Sequence, residues 1–160
     1  MNKQKGFSLI ELLIVVAIIL IIAAIAIPNL LRARIAANES SAVASIRTLN
    51  TAQISYNSAY PTVGFAASLS NLAGTCTGAT IPTTSGACLI DTQLASGTKS
   101  GYSFQMTGVS GTPASSYQAI GNPLTQNTTG VRSFCSVPDA VVRYSTAALS
   151  ACVGTETPLQ

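Results

Sequence analysis

The sequence predicts an α+β fold in which one long N-terminal helix packs against a small antiparallel sheet. Two patterns lead to this prediction. An apolar run without charged residues covers residues 12–31 and continues as an amphipathic helical pattern up to Tyr56. Beyond Tyr60, short segments of alternating apolar and polar residues are separated by glycine and proline, which is typical of strands and turns.

The first part of the helix is predicted to span a membrane. At about 1.5 Å of rise per residue, residues 12–31 can cross a hydrocarbon core of roughly 30 Å. Lys3 and Lys5 precede this run and favour a cytoplasmic N-terminus, which leaves the rest of the chain outside. An ordinary cleaved signal peptide and an uncleaved anchor are the alternatives. The short basic region, the long apolar run and Glu11 at its start disfavour a cleaved signal peptide, and a carboxylate at this position is costly in lipid and indicates a function.

The second part of the helix is predicted to lie on the sheet. Pro28 ends the first apolar block and predicts a kink, because proline lacks an N–H and clashes with the preceding turn. Glu39 and Arg47 fall among the polar positions that follow. The apolar positions recur at helical spacing and form the predicted packing face: Ile35, Ala42, Ile46, Leu49 and Tyr56.

The remainder of the chain is predicted to form short helical turns followed by about four antiparallel strands. Helical turns are expected at residues 68–73 and 89–95, and strands at residues 102–106, 117–120, 132–136 and 141–145. Turns are expected at residues 108–113, 121–123 and 138–139, where glycine, proline, asparagine or aspartate occur.

Four cysteines indicate disulfide bonds formed outside the cytoplasm. An even number in a small exported domain predicts two bridges, and the absence of a C-x-x-C pair disfavours a zinc site. Three connectivities are possible, of which sequential pairing is the simplest. It would join Cys76 to Cys88 and Cys135 to Cys152.

Catalysis and cofactor binding are not expected. The chain contains no histidine, and its charged residues amount to 8%. No paired carboxylates, nucleophile with a base, or phosphate-binding loop occurs, and Asp91 and Asp139 are too few for a calcium site. Nucleic acid is an unsupported partner, because the only basic residues beyond the helix are Lys99, Arg132 and Arg143.

The extreme N-terminus carries the most specific motif. Two lysines precede a glycine, an aromatic residue follows directly, and a glutamate lies four residues further on at the start of the apolar run: Lys5-Gly6-Phe7-Ser8-Leu9-Ile10-Glu11. This pattern resembles the class III leader and first helix of type IV pilins and pseudopilins. The resemblance covers residues 5–31 closely and suggests only architecture beyond them.

The resemblance implies a processing and an assembly role for named residues. Residues 1–6 would be a leader removed by prepilin peptidase between Gly6 and Phe7, with N-methylation of Phe7. Residues 7–31 would be the membrane and filament-core helix, and residues 32–160 the pilin head. Glu11 would pair with the N-terminus of a neighbouring subunit, Pro28 would be the single helix breaker, and Cys135–Cys152 would bound a surface loop.

The resemblance also implies a structural function without a cofactor. The chain would start in the inner membrane as a single-pass protein and end in an extracellular helical filament of identical subunits. A membrane platform and a cytoplasmic ATPase would assist assembly for adhesion, twitching motility or DNA uptake. A type II secretion pseudopilin and a minor pilin that acts as a binding module remain the alternatives.

Overall fold

The computed structural model describes residues 7–74 and 81–159. The helices are α1 (Leu9–Ala59), α2 (Leu69–Leu72) and α3 (Thr92–Ala95). The strands are β1 (Thr98–Lys99), β2 (Tyr102–Gly111), β3 (Ala114–Pro123), β4 (Ser133–Ser136), β5 (Arg143–Ser145) and β6 (Thr157–Pro158). The chain divides between Arg34 and Ile35 into two compact units. We call residues 7–34 the anchor segment and residues 35–159 the head.

Helix α1 runs through both units and confirms the predicted long helix. It is continuous at Pro28, so the proline does not terminate the helix. Proline leaves the carbonyl four residues earlier without its helical N–H donor, but the flanking apolar residues are strong helix formers that hold the remaining bonds.

The head contains an antiparallel sheet with more strands than the sequence predicts. Six strands follow one another in the order β1-β2-β3-β4-β5-β6, and each neighbouring pair is antiparallel. The prediction of about four strands was therefore wrong. The additional strands β1 and β6 are two residues long, which is too short to show an alternating pattern.

Two predicted turns lie within strands instead. Residues 108–111 belong to β2, so that the turn to β3 is confined to Thr112 and Pro113. Gly121 belongs to β3, where it pairs with Phe104 on one side and Phe134 on the other. A Cβ atom at position 121 would approach the Phe104 ring to 3.0 Å. This glycine therefore makes room for an aromatic ring rather than a turn.

Both short helices are shorter than predicted. Helix α2 lies within the predicted residues 68–73, but α3 begins at Thr92 rather than at Leu89. Asp91 is the N-cap of α3 and accepts a 2.7 Å hydrogen bond from the Leu94 N–H. The Leu89 N–H bonds instead to the carbonyl of Leu72, which places this residue beside α2.

The core of the head lies between α1 and the sheet. The buried face of α1 contains Ala42, Ile46, Leu49 and Tyr56, as the helical spacing predicts, whereas Ile35 is half-buried. The largest side chains opposite this face come from three adjacent strands and are almost completely buried: Tyr102, Phe104, Tyr117 and Phe134.

Buried polar side chains of α1 bind backbone groups of the head. Gln53 accepts a 2.8 Å hydrogen bond from the Ala66 N–H and donates a 3.0 Å bond to the Ala66 carbonyl, as a neighbouring strand would. Asn50 donates to Ser136 at 2.9 Å and accepts from the Tyr117 hydroxyl at 3.2 Å. These contacts satisfy amides that would otherwise cost free energy on burial.

Glu39 accepts four hydrogen bonds from Val131 and Arg132, and we call this contact the Glu39 clamp. Oε1 of Glu39 accepts hydrogen bonds from the Val131 and Arg132 N–H groups at 2.9 and 3.0 Å. Oε2 accepts from Nε and Nη2 of Arg132 at 2.9 and 2.7 Å. Glu39 is only 7% exposed, so its assignment to the polar face of α1 was wrong. The Arg132 guanidinium also lies 5.6 and 5.4 Å from the Phe134 and Tyr144 ring centres.

Loss of the Glu39 clamp is expected to destabilise the head. Glu39→Gln retains the size of the side chain but removes the charge that attracts Arg132 and turns one oxygen into an amide donor. We expect the free energy of unfolding to fall by about 2–3 kcal/mol in urea titrations followed by near-ultraviolet circular dichroism. Arg47→Gln on the exposed face of the same helix is the control and should change stability by about 0.5 kcal/mol or less. Equal effects of the two substitutions would contradict a stabilising role of the clamp.

The head is expected to lose stability in acid. Burial raises the pKa of Glu39, but the bonds from Val131 and Arg132 outweigh it and lower the pKa overall. The Arg143 guanidinium lowers the pKa of Asp139. These carboxylates bind protons more readily in the unfolded chain than in the folded head. The free energy of unfolding should therefore fall as the pH drops through and below about 4.5. Urea titrations across this range should show a weaker pH dependence in Glu39→Gln, and an unchanged slope would exclude Glu39 as a source of it.

Candidate functional site in the N-terminal helix

The anchor segment presents an almost continuous apolar surface. Helix α1 is the described helix that is long and apolar enough to span a membrane. The large apolar side chains of the anchor segment are between 45% and 83% exposed: Phe7, Leu9, Ile10, Leu12, Leu13, Ile14, Val15, Val16, Ile18, Ile19, Leu20, Ile21, Ile22, Ile25, Ile27, Leu30 and Leu31. Apolar surface of this extent is not stable in water, so lipid or other helices must cover it.

The predicted processing junction lies at the edge of the described residues. Phe7 is the first described residue, precedes α1 and is 83% exposed. Gly6 lies outside the described residues, so cleavage between Gly6 and Phe7 stays a prediction. Phe7 is separated from Glu11 by one helical turn.

Glu11 lies in the first turn of α1 and binds the helix N-terminus of its own chain. The Ser8 N–H donates a 3.0 Å hydrogen bond to Oε2 of Glu11, and the Leu12 N–H donates to the Ser8 carbonyl at 3.2 Å. Ser8 is thus the residue directly before the helix, and Glu11 is its third helical residue. A glutamate at this position that accepts from the preceding N–H forms one half of a capping box.

Because of the capping contact, the Glu11 carboxylate is not without a partner in an isolated chain. The carboxylate of Glu11 has a donor within its own helix and lies at the positive end of the helix dipole, which favours a negative charge. The sequence analysis singled out Glu11 but missed Ser8. The signal that identifies Ser8 is the S-x-x-E spacing directly before an apolar run.

The described cysteines lie in the head. Cys135 on β4 and Cys152 form a disulfide bond with a Cα–Cα distance of 5.9 Å, and both residues are buried. This bond ties the sheet to the C-terminal segment. Cys76 lies outside the described residues, so the Cys76–Cys88 bridge stays a prediction and one of the two expected bridges is described.

One group of potential metal ligands comes together within residues 7–74 and 81–159, and it does not fit a metal site. It contains Cys135, Cys152 and Glu156. Both sulfur atoms are used in the disulfide, so no thiolate is available as a ligand. Glu156 already accepts 2.9 Å hydrogen bonds from the Val153 and Gly154 N–H groups.

The three basic residues that the sequence offered for nucleic-acid binding all have acidic partners. Lys99 contacts Asp91 at 2.9 Å, Arg132 belongs to the Glu39 clamp, and Arg143 forms an ion pair with Asp139. Paired charges do not form a basic surface, which a nucleic-acid interface needs.

Comparison with known proteins assigns the anchor segment to a family. Residues 1–27 match the family described as the prokaryotic N-terminal methylation motif. This match, together with the apolar helix and Glu11 in its first turn, confirms the resemblance of the N-terminus. The N-terminal part of the chain is therefore similar to that of type IV pilins and pseudopilins.

The similar proteins include pilus components and a secretion-system component. The type IV major pilin PilA of Myxococcus xanthus is 50% identical over 54 residues, which cover 34% of this chain and 24% of that protein. The type IV wide pilus major component PilA4 of Thermus thermophilus is 65% identical over 40 residues, or 25% and 30% of the two chains. The type II secretion system core protein G of Vibrio cholerae is 43% identical over 65 residues, or 39% and 44%.

These similarities have a limited extent. The matched segment spans between about a quarter and less than half of each relative. No solved structure matches the chain. The relatives are pilus and secretion-system components rather than enzymes, which agrees with the absence of histidine from this pilin-like chain.

Hydrogen exchange at Ser8 is expected to report the capping contact. Glu11→Ala removes the acceptor, so the Ser8 amide should exchange roughly fivefold faster, as expected for a helix cap of about 1 kcal/mol. Glu11→Gln retains a carbonyl acceptor and should show a smaller change. Exchange can be measured by NMR on the full chain in detergent micelles.

The Leu12 amide provides the internal control for this measurement. It bonds to the Ser8 carbonyl and therefore reports whether the first turn of α1 persists. Acceleration of Leu12 to the same degree would mean that the turn has unravelled. An unchanged rate at Ser8 in Glu11→Ala would contradict the capping contact.

Proposed function

We propose that the chain is a structural subunit of a type IV pilus, made as a precursor and assembled through its anchor segment. The observation that carries this proposal is the exposed apolar surface of α1 beside a single capped carboxylate, within the methylation motif. Such a surface has two stable environments, which are a bilayer and a bundle of like helices. A subunit that exchanges one for the other polymerises without performing a reaction.

Processing would create a positive charge at the start of the anchor segment. Prepilin peptidase would cleave between Gly6 and Phe7, remove Lys3 and Lys5 with the leader, and methylate the new amine of Phe7. The freed terminus carries a positive charge next to the apolar helix. In a low-dielectric environment this charge is costly unless a carboxylate lies nearby.

Glu11 would accept that amine from a neighbouring subunit during assembly. Among the described residues, Oε2 has the Ser8 N–H as its donor, and Oε1 accepts no hydrogen bond. One carboxylate can therefore retain its own helix cap and bind an incoming amine at the same time. Helix packing would drive association, and this ion pair would set the axial position of each subunit. Pro28 would be the position at which the helix adjusts within the filament.

A type II secretion pseudopilin is the second candidate. Its support is the core protein G of Vibrio cholerae, whose similarity covers 39% of this chain. A pseudopilin would use the same processing and assembly, but its filament would stay short and within the cell envelope. A minor pilin with a binding role has less support, because the basic residues beyond helix α1, Lys99, Arg132 and Arg143, are paired with acids.

The proposed partners follow from the pilus assignment. They are identical subunits in a helical filament, prepilin peptidase, an inner-membrane assembly platform and a cytoplasmic ATPase. The subunit would be a single-pass inner-membrane protein before assembly and part of an extracellular filament afterwards. Adhesion, twitching motility and DNA uptake are the proposed uses of that filament, and no cofactor takes part.

Intact mass spectrometry of sheared surface filaments tests the proposal directly. A dominant species that begins at Phe7 and carries one added methyl group would support a pilus subunit. The same species restricted to the membrane fraction would support the pseudopilin. A chain that still begins at Met1 in both fractions would overturn processing at Gly6.

Two substitutions at Glu11 separate its charge from its capping role. Glu11→Ala removes both, whereas Glu11→Gln removes the charge and keeps an acceptor for the Ser8 N–H. We expect both variants to lose most surface filaments, by at least about tenfold, because neither can pair with an incoming amine. Filament yield should be measured by shearing and quantitative immunoblotting against the membrane-retained chain.

The controls for this experiment come from the head. Circular dichroism should show a folded head in both Glu11 variants. Arg47→Gln should assemble normally, since it removes an exposed charge from the same helix without touching the anchor segment. Normal filaments from Glu11→Gln would show that the cap suffices and would exclude the charge pair as the requirement for assembly.

A further inference from the structure

Two arginines come directly after the apolar run of the anchor segment. Arg32 and Arg34 are both exposed and lie on α1, one and three residues beyond Leu31. They are the first basic residues after the apolar run, which itself contains no charge between Leu12 and Leu31. The apolar run, which must be covered by lipid or by other helices, is therefore followed directly by two positive charges.

Among the described residues, these two arginines have no acidic partner, unlike the basic residues that follow helix α1. Lys99, Arg132 and Arg143 each contact a carboxylate. Within residues 7–74 and 81–159, no carboxylate lies within 4 Å of Arg32 or Arg34, and the next acid along the chain, Glu39, is held by Arg132. The positive charge of this pair is therefore available to a partner of opposite charge.

The length of the apolar run places this pair at the level of lipid headgroups. Twenty helical residues, 12–31, extend over about 30 Å, which equals the thickness of a hydrocarbon core. With Glu11 at one border of the core, Arg32 lies at the other border and Arg34 about 3 Å further out. Phosphate groups occupy this level of a bilayer.

The direction of the two side chains determines how they can bind. Residues two positions apart on a helix point about 200° from each other, so Arg32 and Arg34 lie on nearly opposite sides of α1. A shared clamp on one anion is therefore excluded. Each guanidinium can instead make the paired hydrogen bonds that arginine forms with a phosphate, and each would contact a different lipid.

We propose that Arg32 and Arg34 bind the headgroup phosphates of anionic phospholipids in the leaflet at the C-terminal end of the span. This inference rests on the proposed membrane-inserted state of the subunit before assembly. The two contacts would hold the end of the apolar run at a defined depth, and Glu11 would occupy the opposite headgroup region. Release of the subunit into a filament would then require release of these lipids.

Lipid selectivity can be measured on the full chain by electron spin resonance. The chain is reconstituted in phosphatidylcholine vesicles that contain a trace of either spin-labelled phosphatidylglycerol or spin-labelled phosphatidylcholine. The motionally restricted fraction of each probe gives the relative association constant of the two lipids. Arg32→Gln/Arg34→Gln is the test variant. Arg47→Gln is the matched control, because it is an exposed arginine on the same helix but beyond the anchor segment.

The wild-type chain and Arg47→Gln should prefer phosphatidylglycerol, and the double variant should lose most of that preference. An arginine near an anionic surface contributes up to about a fivefold preference. Lys3 and Lys5 are present in every variant, so any phosphatidylglycerol preference that they cause is the same in all of them. The preference should also shrink in high salt, since exposed charge pairs are screened.

The outcomes separate this inference from the proposed membrane insertion. A restricted phosphatidylcholine fraction of equal size in all variants shows that the helix is inserted, and its absence would overturn the proposed function. Insertion with the same phosphatidylglycerol preference in the double variant would overturn the inference alone. An equal loss in Arg47→Gln would also overturn it, because the effect would then reflect net charge rather than position.

Discussion

The need to cover the apolar surface of the anchor segment is the constraint on which the rest of this chain depends. Helix α1 is a single element, but it meets two different environments. Up to Leu31 its large side chains are exposed on all sides, whereas from Ala42 onwards one face is buried against the sheet. In the first part, the backbone groups form hydrogen bonds within the helix, whereas the apolar side chains need lipid or other helices around them. The second part behaves as an ordinary amphipathic helix.

The head is held together by polar contacts as much as by its apolar core. Glu39, Asn50 and Gln53 lie on the buried face of α1, and each binds backbone groups of a segment that has few backbone partners of its own. Asn122 acts in the same way on Leu149, with bonds of 2.8 and 2.9 Å. These side chains give loops rich in Ser, Thr and Gly a defined position, which apolar packing alone does not do.

The distribution of charge separates the two parts of the molecule. In the head, acids are paired with bases or with backbone N–H groups, so its described surface offers little net attraction to a charged partner. In the anchor segment, Glu11 and the pair Arg32 and Arg34 flank the apolar run. The proposed electrostatic contacts therefore lie at the two ends of that run, which would be the levels where a low-dielectric interior meets water.

The sequence by itself determined the long helix, its apolar run, the face formed by Ala42, Ile46, Leu49 and Tyr56, and the position of Glu11 in the first turn of the helix. All of these are local: helical periodicity and a motif of consecutive residues suffice to recognise them. Tertiary structure decided the burial of Glu39, the inclusion of Gly121 in β3, and the two-residue strands β1 and β6. Each of these depends on groups that are distant along the chain, such as Arg132 for Glu39 and Phe104 for Gly121. A local pattern contains no information about such partners, because burial and strand pairing depend on which segments the folded chain brings together.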